Sequence, residues 1–355
     1  MATGVSIVIP SWNGLELLKR FLPSVIAAAT QYSTQFNAPT EIIVVDDAST
    51  DATVDALLGL GFEQEHRNNA DGENLILRLI VNKTNLGFGP TCNRAFEAAS
   101  YPLVFLLNND VEVEVNSIAP LIENFADASV FAAHCRVFDL ESGSEVGTGK
   151  LGGFSRGFIR VHRSYVLRQT ANVLERSERY SMFASGGSAM FDREKFVDIG
   201  GFDQLLAPNY WEDVDISYRA WKRGFSVVYE PRSVVHHRFS STMRKANQRK
   251  LRRLQQRNRL IYHWVNLHDR WLLASHIVWV VLLSLSAPLR LQPGFLCSLF
   301  AAIKKLRQIR RRRVEEKQAA RRSDRDVFKI FTSLERRGDV FTYNERAFTP
   351  QERLQ

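Results

Sequence analysis

Acidic and amide side chains cluster at three points along the chain, two of them directly after an apolar run. The clusters are Asp46-Asp47 after EIIVV, Asn108-Asn109-Asp110 after PLVFLL, and Glu212-Asp213 ahead of a helical stretch. In an open α/β sheet the binding crevice lies outside the carboxyl ends of the strands, so these side chains can converge although they are distant in sequence. Carboxylate oxygens suit Mg²⁺ or Mn²⁺, which are usually held by one or two carboxylates and by substrate phosphates. The clusters therefore predict a site for a divalent cation and a phosphate-bearing substrate.

Strands that alternate with helices would carry these clusters. Residues 6–10, 41–45, 75–81 and 103–107 are short apolar runs that are typical of buried parallel strands. Between them, apolar residues recur at helical spacing, and the segment 11–14 (SWNG) supplies a turn. This alternation predicts an α/β fold with a doubly wound, mostly parallel sheet.

Each cluster also has a purely structural interpretation. An Asp-Asp pair followed by Ser and Asp is commonly a helix N-cap, and Asn-Asn-Asp at a strand end is commonly a turn. Taken singly, the clusters indicate little. Their order and spacing along one chain are more specific.

Four segments together resemble glycosyltransferase family 2. The segments are VSIVIPSWNG, EIIVVDDASTDAT, NKTNLGFGPTCNRAFEAASYPLVFLLNNDVEV and GGSAMFDREKFVDIGGFDQLLAPNYWEDVDISYRAWKRG. The resemblance covers about residues 4–241 and looks most like the rhamnosyltransferase-like branch that builds bacterial surface polysaccharides. It implies a GT-A fold, a nucleotide-sugar donor such as a dTDP- or UDP-sugar (dTDP-rhamnose among them), a divalent cation, and inversion of the anomeric carbon by a single displacement.

The resemblance assigns a nucleoside pocket to the first part of the chain. Asp47 matches the family residue that reads the uracil or thymine edge, and Asp46 precedes it. The remaining pocket residues are Pro10, Ser11, Asn13, Asn85 and Gly87.

The family's Asp-x-Asp metal motif stands in this chain as Asn108-Asn109-Asp110, so Asp110 is its carboxylate ligand and the two amides lie on the donor side. An amide oxygen contributes a dipole where a carboxylate contributes a full charge, so we expect weaker metal binding. A family histidine near the metal and the leaving pyrophosphate is best matched by His236, although His237 beside it leaves open which ring faces the metal. A filled core position is the alternative for either ring.

The resemblance assigns the catalytic base to Asp213, which would take the proton of an acceptor hydroxyl as that hydroxyl attacks the anomeric carbon. Further along the same helix, Asp215 and Arg219 are four residues apart. They form either an ion pair on the helix surface or a structural or phosphate-facing pair. On the acceptor side the resemblance places Gly187, Trp211 and Glu212.

Charge is distributed unevenly along the chain. Residues 1–240 contain 21 basic and 29 acidic side chains, a net charge of −8, whereas residues 241–355 contain 26 and 9, a net charge of +17. This contrast predicts a catalytic domain at 1–241 and a basic helical tail at 242–355. The tail carries four consecutive arginines at 310–313 but no nucleic-acid recognition motif, so we expect no nucleic-acid partner.

An apolar insert at 271–303 lies between the basic stretches of the tail. The first part of the insert, 271–287, is near the lower limit of about 17–25 residues for a transmembrane helix. Pro288, Pro293 and Gly294 then divide the insert into two pieces. With basic flanks on both sides, these features favour association with the inner leaflet of the membrane, in plane or re-entrant, over a single crossing. A helix packed on the catalytic domain is the alternative.

The remaining features predict a bacterial cytoplasmic enzyme at the inner membrane. Three cysteines show no disulfide or metal spacing, and the first strand begins too early for a signal peptide. We expect sugar transfer to a hydroxyl of a glycan or polyprenyl-linked acceptor in cell-surface polysaccharide synthesis. An inactive nucleotide-sugar-binding scaffold is an alternative, against which Asp110 and Asp213 argue. A nucleotidyltransferase is another, but it should carry a basic, Gly-rich loop where this chain has residues 10–14.

Overall fold

Strands and helices alternate along the first third of the chain, as the sequence predicts. The computed structural model describes residues 3–64, 75–167, 179–238, 248–287 and 293–344. The strands are β1 (Val5–Ser11), β2 (Thr40–Asp46), β3 (Leu75–Val81), β4 (Leu103–Leu107), β5 (Val111–Val113), β6 (Val130–Asp139), β7 (Glu145–Gly147), β8 (Gly149–Ser155), β9 (Phe158–Leu167), β10 (Ser188–Asp192), β11 (Ser226–His237) and β12 (Val340–Asn344). The helices are α1 (Leu15–Phe36), α2 (Thr53–Gly59), α3 (Phe88–Ala98), α4 (Ile118–Glu123), α5 (Arg193–Asp198), α6 (Glu212–Lys222), α7 (Gln248–Asn266), α8 (Arg270–Ser286), α9 (Pro293–Ile303), α10 (Leu306–Ala319) and α11 (Asp324–Glu335).

The central sheet combines a parallel half with a mixed half. Within the described residues, nine strands join in the order β3-β2-β1-β4-β10-β6-β11-β5, with β7 on β6. Strands β3, β2, β1 and β4 are parallel, whereas β10 runs antiparallel between β4 and β6. Strand β2 is buried along its whole length, because helices cover both faces of a parallel sheet. The predicted α/β class with a parallel-rich sheet is confirmed.

The register of the parallel half brings its loops together. Ser11 lies opposite Asp46 in the β1–β2 pair, and Asp46 lies opposite Val81 in the β2–β3 pair. The carboxyl ends of these three strands therefore reach the same edge of the sheet. In a sheet of this kind that edge is where ligands bind.

The C-terminal helices share the hydrophobic core of the catalytic fold. Val327 and Phe331 of α11 are buried in the same core cluster as Trp221 of α6. The buried Asp324 accepts a hydrogen bond from Lys222 Nζ at 2.6 Å and pairs with it. The boundary predicted at residue 241 lies outside the described residues, and the described segments on its two sides pack against each other.

The apolar insert forms two helices, α8 and α9, with residues 288–292 lying outside the described part of the chain. Large apolar side chains stay exposed on both helices. No described helix combines the length and the apolar character that a membrane crossing requires. The exposed side chains are Trp271, Ile277, Val278, Val281, Leu282, Leu285, Phe300 and Ile303.

Candidate active site

Asp47 organises the loop that follows β3. Its Oδ1 accepts hydrogen bonds from Asn82 Nδ2 at 2.7 Å and from the backbone N–H of Leu86 at 2.8 Å. Its Oδ2 accepts one from the N–H of Gly87 at 2.9 Å. Hydrogen bonds of this kind compensate a buried carboxylate for lost hydration. The residue that the resemblance assigns to the nucleobase thus also fixes the loop that carries the exposed Asn85.

The turn after β1 is hydrogen-bonded to the turn after β2. Asn13, with a left-handed φ of 48°, donates its N–H to Ser49 Oγ at 2.8 Å and accepts the N–H of Thr50 at 2.7 Å. Asp46 is fully buried, and its Oδ2 accepts the N–H of Ser49 at 2.9 Å. Its Oδ1 has no hydrogen-bond partner among the described residues. An unpaired buried oxygen of this kind marks a position where a ligand can donate.

Gly87 lets the loop after β3 approach the segment that leads into α6. Its φ is 84°, and a Cβ at this position would lie 2.7 Å from the carbonyl oxygen of Pro208. The N–H of Phe88 donates to that same oxygen at 2.9 Å. A side chain at position 87 would push the two segments apart. The loop after β3, which the resemblance assigns to the nucleoside, is therefore in contact with the segment ahead of the Glu-Asp pair.

Asp110 and His237 are paired at the end of the metal motif. His237 Nε2 lies 2.8 Å from Asp110 Oδ1, and both side chains are largely buried. One residue earlier in the motif, Asn109 Nδ2 donates to Ser11 Oγ at 3.0 Å. The motif is therefore tied to the last residue of β1 and to the last residue of β11.

His236 lies on the other face of β11. Its Nε2 is 3.0 Å from Glu114 Oε1, and its ring stacks on Phe138 with a centroid distance of 5.7 Å. Successive residues of a strand point to opposite faces, so only one of the two neighbouring histidines can face Asp110. The resemblance favoured His236 for the metal, whereas the structure places His237 beside Asp110.

The donor set around Asp110 fits a divalent cation whose coordination a substrate completes. Among the described residues, no three His, Cys, Asp or Glu side chains converge into a closed metal cage. One carboxylate and one imidazole leave several positions for phosphate oxygens and water, and metal sites on nucleotide substrates are built in this way. Asp110 and His237 are the residues that would hold such a cation.

The Glu-Asp pair begins α6 directly after two residues in the left-handed conformation. Tyr210 has a φ of 75° and Trp211 a φ of 74°. Such conformations are strained for bulky residues and persist where the surroundings fix them. Asn258 of α7 does so, since its Nδ2 donates to the carbonyl oxygens of Leu206, Asn209 and Tyr210 at 2.6, 2.9 and 2.9 Å. No sequence pattern indicated a role for Asn258, which lies within a basic stretch.

One loop contacts both the metal motif and the Glu-Asp pair. The carbonyl oxygen of Gly187 accepts the N–H of Asn108 at 3.0 Å, and a Cβ on Gly187 would lie 2.3 Å from Asn108 Nδ2. The N–H of Gly186 donates to the Asp213 carboxylate. A Cβ on Gly186 would lie 3.5 Å from that of Asp213. Two adjacent glycines therefore bring the two halves of the candidate site close together.

Lost hydration and neighbouring charges set the ionisation of the Glu-Asp pair. Lost hydration raises the pKa of Asp213, while hydrogen bonds from the N–H groups of Val214 and Gly186 and the charge of Lys150 lower it. Lost hydration and the negative charge of Asp213 raise the pKa of Glu212 to about 8. The pKa of both carboxyls is thus raised, and because their charges oppose each other the two groups titrate as a pair.

The protonated Glu212 makes stability depend on pH. Between its ordinary pKa of 4.5 and its folded pKa of about 8, the folded protein keeps a proton that the unfolded chain has released, so stability falls as pH rises. Glu212→Gln should remove this effect and raise Tm at pH 8 by about 3 °C more than at pH 5. Differential scanning fluorimetry with chelator at both pH values tests this. Equal Tm changes at the two pH values would contradict a raised Glu212 pKa.

Asp215 and Arg219 form a buried pair and not a surface one. Arg219 Nε donates to Asp215 Oδ2 at 2.7 Å, and both side chains are almost fully buried. The guanidinium also donates to the carbonyl oxygens of Ile199 and Gly201, and Asn266 of α7 donates to Asp215 Oδ1 at 2.6 Å. This network anchors α6 to the segment 199–201 and to α7. It favours a structural role for the Asp215–Arg219 pair over an ion pair on the helix surface.

Comparison with known proteins identifies the family. The family model for glycosyl transferase family 2 matches residues 6–200, more than half of the chain. The chain belongs to glycosyl transferase family 2. The family that the four sequence segments indicated is thereby confirmed, as is the enzyme class.

Curated relatives of this family 2 member include two kinds of polysaccharide enzyme. The chain is 29% identical over 254 residues to an N-acetylglucosaminyl-diphospho-decaprenol L-rhamnosyltransferase of Mycobacterium tuberculosis, covering 64% of this chain and 74% of the relative. It is 23% identical over 230 residues to a poly-beta-1,6-N-acetyl-D-glucosamine synthase of Staphylococcus aureus, covering 64% of this chain. The match spans only 48% of the synthase.

Solved structures confirm the GT-A fold of this family 2 enzyme. GalNAc-T7, crystallised with UDP, GalNAc and Mn²⁺, superposes with a TM-score of 0.54 at 20% identity, covering 75% of this chain and 48% of that one. TarS residues 1–349 of S. aureus, in complex with UDP-GlcNAc, superposes with a TM-score of 0.52 at 15% identity, covering 94% and 90%. At such identities the likeness concerns the fold alone.

Proposed function

We propose that this family 2 enzyme is an inverting, metal-dependent transferase that moves a sugar from a dTDP- or UDP-sugar to a hydroxyl of a glycan or lipid-linked glycan. The observation that carries the proposal is the loop at 185–188, whose two glycines contact Asn108 of the metal motif and Asp213. A sugar between diphosphate and acceptor has to meet these two groups on opposite sides. The mycobacterial and staphylococcal relatives support a role in polysaccharide synthesis.

Asp213 serves as the base in this mechanism. Its carboxylate accepts the proton of the acceptor hydroxyl while that oxygen forms a bond to the anomeric carbon and the bond to the nucleoside diphosphate breaks. Attack on the face opposite the leaving group inverts the anomeric centre. Asp110 and His237 would hold the divalent cation, which when bound would supply positive charge next to the departing diphosphate. Glu212 and Trp211 line the acceptor side, with Gly187.

The nucleoside lies, in this proposal, over the turns that follow β1, β2 and β3. Asp46 Oδ1 is a buried acceptor, and Asp47 Oδ2 accepts one hydrogen bond within the described part of the chain, from the N–H of Gly87, so it keeps capacity for a base N–H. The exposed Asn85 extends the pocket. The other contributing positions are Pro10, Ser11, Asn13, Gly87, Asn108 and Asn109.

Transfer assays with a panel of UDP-, dTDP- and GDP-sugars test the proposal. The enzyme is incubated with a polyprenyl-diphosphate-linked N-acetylglucosamine acceptor and Mg²⁺ or Mn²⁺, and free nucleoside diphosphate and glycosylated lipid are quantified together. Formation of nucleoside diphosphate and glycosylated lipid in equal amounts supports sugar transfer. Release of pyrophosphate would indicate a nucleotidyltransferase, and nucleotide-sugar binding without any release would indicate a scaffold.

We further propose that α8 and α9 lie on the cytoplasmic face of a membrane, where a lipid-linked acceptor resides. Ile277, Val281 and Leu285 are 53%, 50% and 70% exposed and recur every four residues, so they line one side of α8. Exposed basic side chains also occur on α7 and α10, the helices that precede α8 and follow α9 along the chain. Apolar area and positive charge together favour an anionic bilayer surface.

The triple variant Ile277→Ser, Val281→Ser, Leu285→Ser should bind anionic vesicles more than about tenfold more weakly in a sedimentation assay. The reason is that full burial of one apolar side chain of this size contributes about 1.5–3 kcal/mol to binding. High salt should release only part of the wild-type protein, because salt screens charge and leaves the apolar contribution. The control is Leu58→Ser with Leu60→Ser, two exposed side chains on α2 and just after it. Wild-type protein that stays in the supernatant at low salt would contradict the membrane proposal.

A further inference from the structure

A cavity of about 230 Å³ opens beside the metal motif, next to Asn108 and His237. Strands β6, β7 and β8 and the segment 183–188 form its walls. Both apolar side chains and side chains that can hydrogen-bond line it. The lining residues that matter here are Val137, Val146, Phe183, His134, Lys150 and Ser185.

His134 lines this cavity and carries a hydrogen-bond acceptor that is unpartnered within the described part of the chain. The side chain is 2% exposed, and its Nδ1 lies 3.2 Å from the carbonyl oxygen of Cys135. A carbonyl oxygen only accepts, so Nδ1 carries the proton and Nε2 carries a lone pair. Burial and the charge of Lys150 lower the pKa of His134 to about 3, which keeps the ring neutral. Nε2 is buried and has no hydrogen-bond partner among the described residues.

Lys150 places a positively charged donor between this cavity and the Glu-Asp pair. Its Nζ donates to Ser164 Oγ at 3.0 Å, and its N–H donates to Ser181 Oγ at 3.0 Å, which fixes the residue within β8. Its charge lowers the pKa of both His134 and Asp213. Gly187 also lines the cavity and adjoins Gly186, whose N–H donates to Asp213, so the cavity lies near the Glu-Asp pair and could hold a substituent of the reacting sugars.

We propose that this cavity binds the acetamido group of an N-acetylhexosamine unit of the substrate. An acetamido group has three parts that match the lining. Its N–H donates to His134 Nε2, its carbonyl oxygen accepts from Lys150 or Ser185, and its methyl group packs against Val137, Val146 and Phe183. A hydroxyl in the same place could donate to His134 Nε2, but it would leave the apolar side chains of the cavity in contact with water. The inference rests on the proposed function, because the group must belong to the donor or the acceptor sugar.

Two matched substrate pairs show which sugar carries the group. The donor arm compares UDP-N-acetylglucosamine with UDP-glucose, and the acceptor arm compares octyl β-N-acetylglucosaminide with octyl β-glucoside, each by calorimetric titration of the full chain. In one arm we expect the compound with the acetamido group to bind with about a tenfold lower Kd. Without the acetamido N–H, the buried acceptor His134 Nε2 would stay unpaired. Equal Kd values within both pairs would overturn the proposal.

Substitutions tie that preference to the cavity. His134→Phe keeps an aromatic ring against Tyr229 but removes the acceptor, and it should abolish the preference, whereas His134→Gln offers Oε1 and should restore part of it. Val146→Phe, on the partly exposed β7, should fill the apolar part of the cavity and abolish the preference as well. Full preference in both His134→Phe and Val146→Phe would overturn the proposal. Absence of transfer with every nucleotide sugar would instead refute the proposed function, since the binding preference is measured without turnover.

Discussion

Replacing Asp213 by asparagine is expected to lower the turnover number for sugar transfer by about 10²–10⁴-fold, the range that a general base contributes. Asparagine has nearly the same size and cannot accept the acceptor's proton. Donor binding should stay within about threefold of wild type, because Asp213 contacts the loop at 185–188 and the first turn of α6. Catalysis and donor affinity should therefore separate in this variant.

Single-turnover transfer and calorimetric titration of UDP measure the two quantities on the same preparation. Glu212→Gln is the matched control, because it also exchanges one carboxyl for one amide in the same turn of α6. It should lose far less turnover than Asp213→Asn. Transfer by Asp213→Asn within tenfold of wild type would remove Asp213 from the role of base.

Replacing Asp110 by alanine should weaken metal-dependent binding of a nucleoside diphosphate by more than about 100-fold. Loss of a residue that only hydrogen-bonds a metal ligand costs less, about 10–100-fold. Asp110 is the one carboxylate of its motif, since two asparagines precede it. The dependence of transfer on Mn²⁺ or Mg²⁺ should disappear together with the affinity for UDP. The measurement is UDP titration with and without the cation.

The two adjacent histidines supply an internal control for the metal prediction. His237→Phe should reproduce much of the Asp110→Ala effect, because His237 lies 2.8 Å from Asp110. His236→Phe should leave metal-dependent UDP binding within about twofold, because His236 contacts Glu114 and Phe138. Unchanged activity of wild-type enzyme in excess EDTA would refute metal dependence altogether.

Local patterns were sufficient to predict the parallel half of the sheet. Continuous apolar runs such as 41–45 read as buried strands, and the turn residues after them read as loops at one edge. The structure confirms β1 to β4 and brings the loops after β1, β2 and β3 together. A strand that is buried on both faces is apolar at every position, so its own sequence is enough to predict it.

Contacts between distant segments were not predictable in this way. Strand alternation separates His236 from His237, but the sequence does not say which face of β11 meets Asp110. The basic tail was predicted as a separable segment from its charge, yet Tyr262, Val327 and Phe331 are buried in the core cluster of the catalytic fold. We therefore expect a chain that ends near residue 241 to unfold, because it would expose this core. Net charge describes the solvated face of a helix and carries no information about its buried face.

Helix α7 joins the strained residues ahead of the base to the helices that expose apolar surface. At one point Asn258 holds the carbonyl oxygens of the segment 206–210, and at another the backbone carbonyl of Arg253 accepts a hydrogen bond from Ser298 Oγ of α9 at 3.0 Å. A single helix thus connects the proposed acceptor site with the surface that we propose faces lipid. Thermodynamic reciprocity then links them: if a bilayer favours the arrangement of α7 that binds acceptor, bound acceptor must strengthen attachment to the bilayer by the same factor. Substrate would in that case retain its own enzyme at the surface where the next substrate is found.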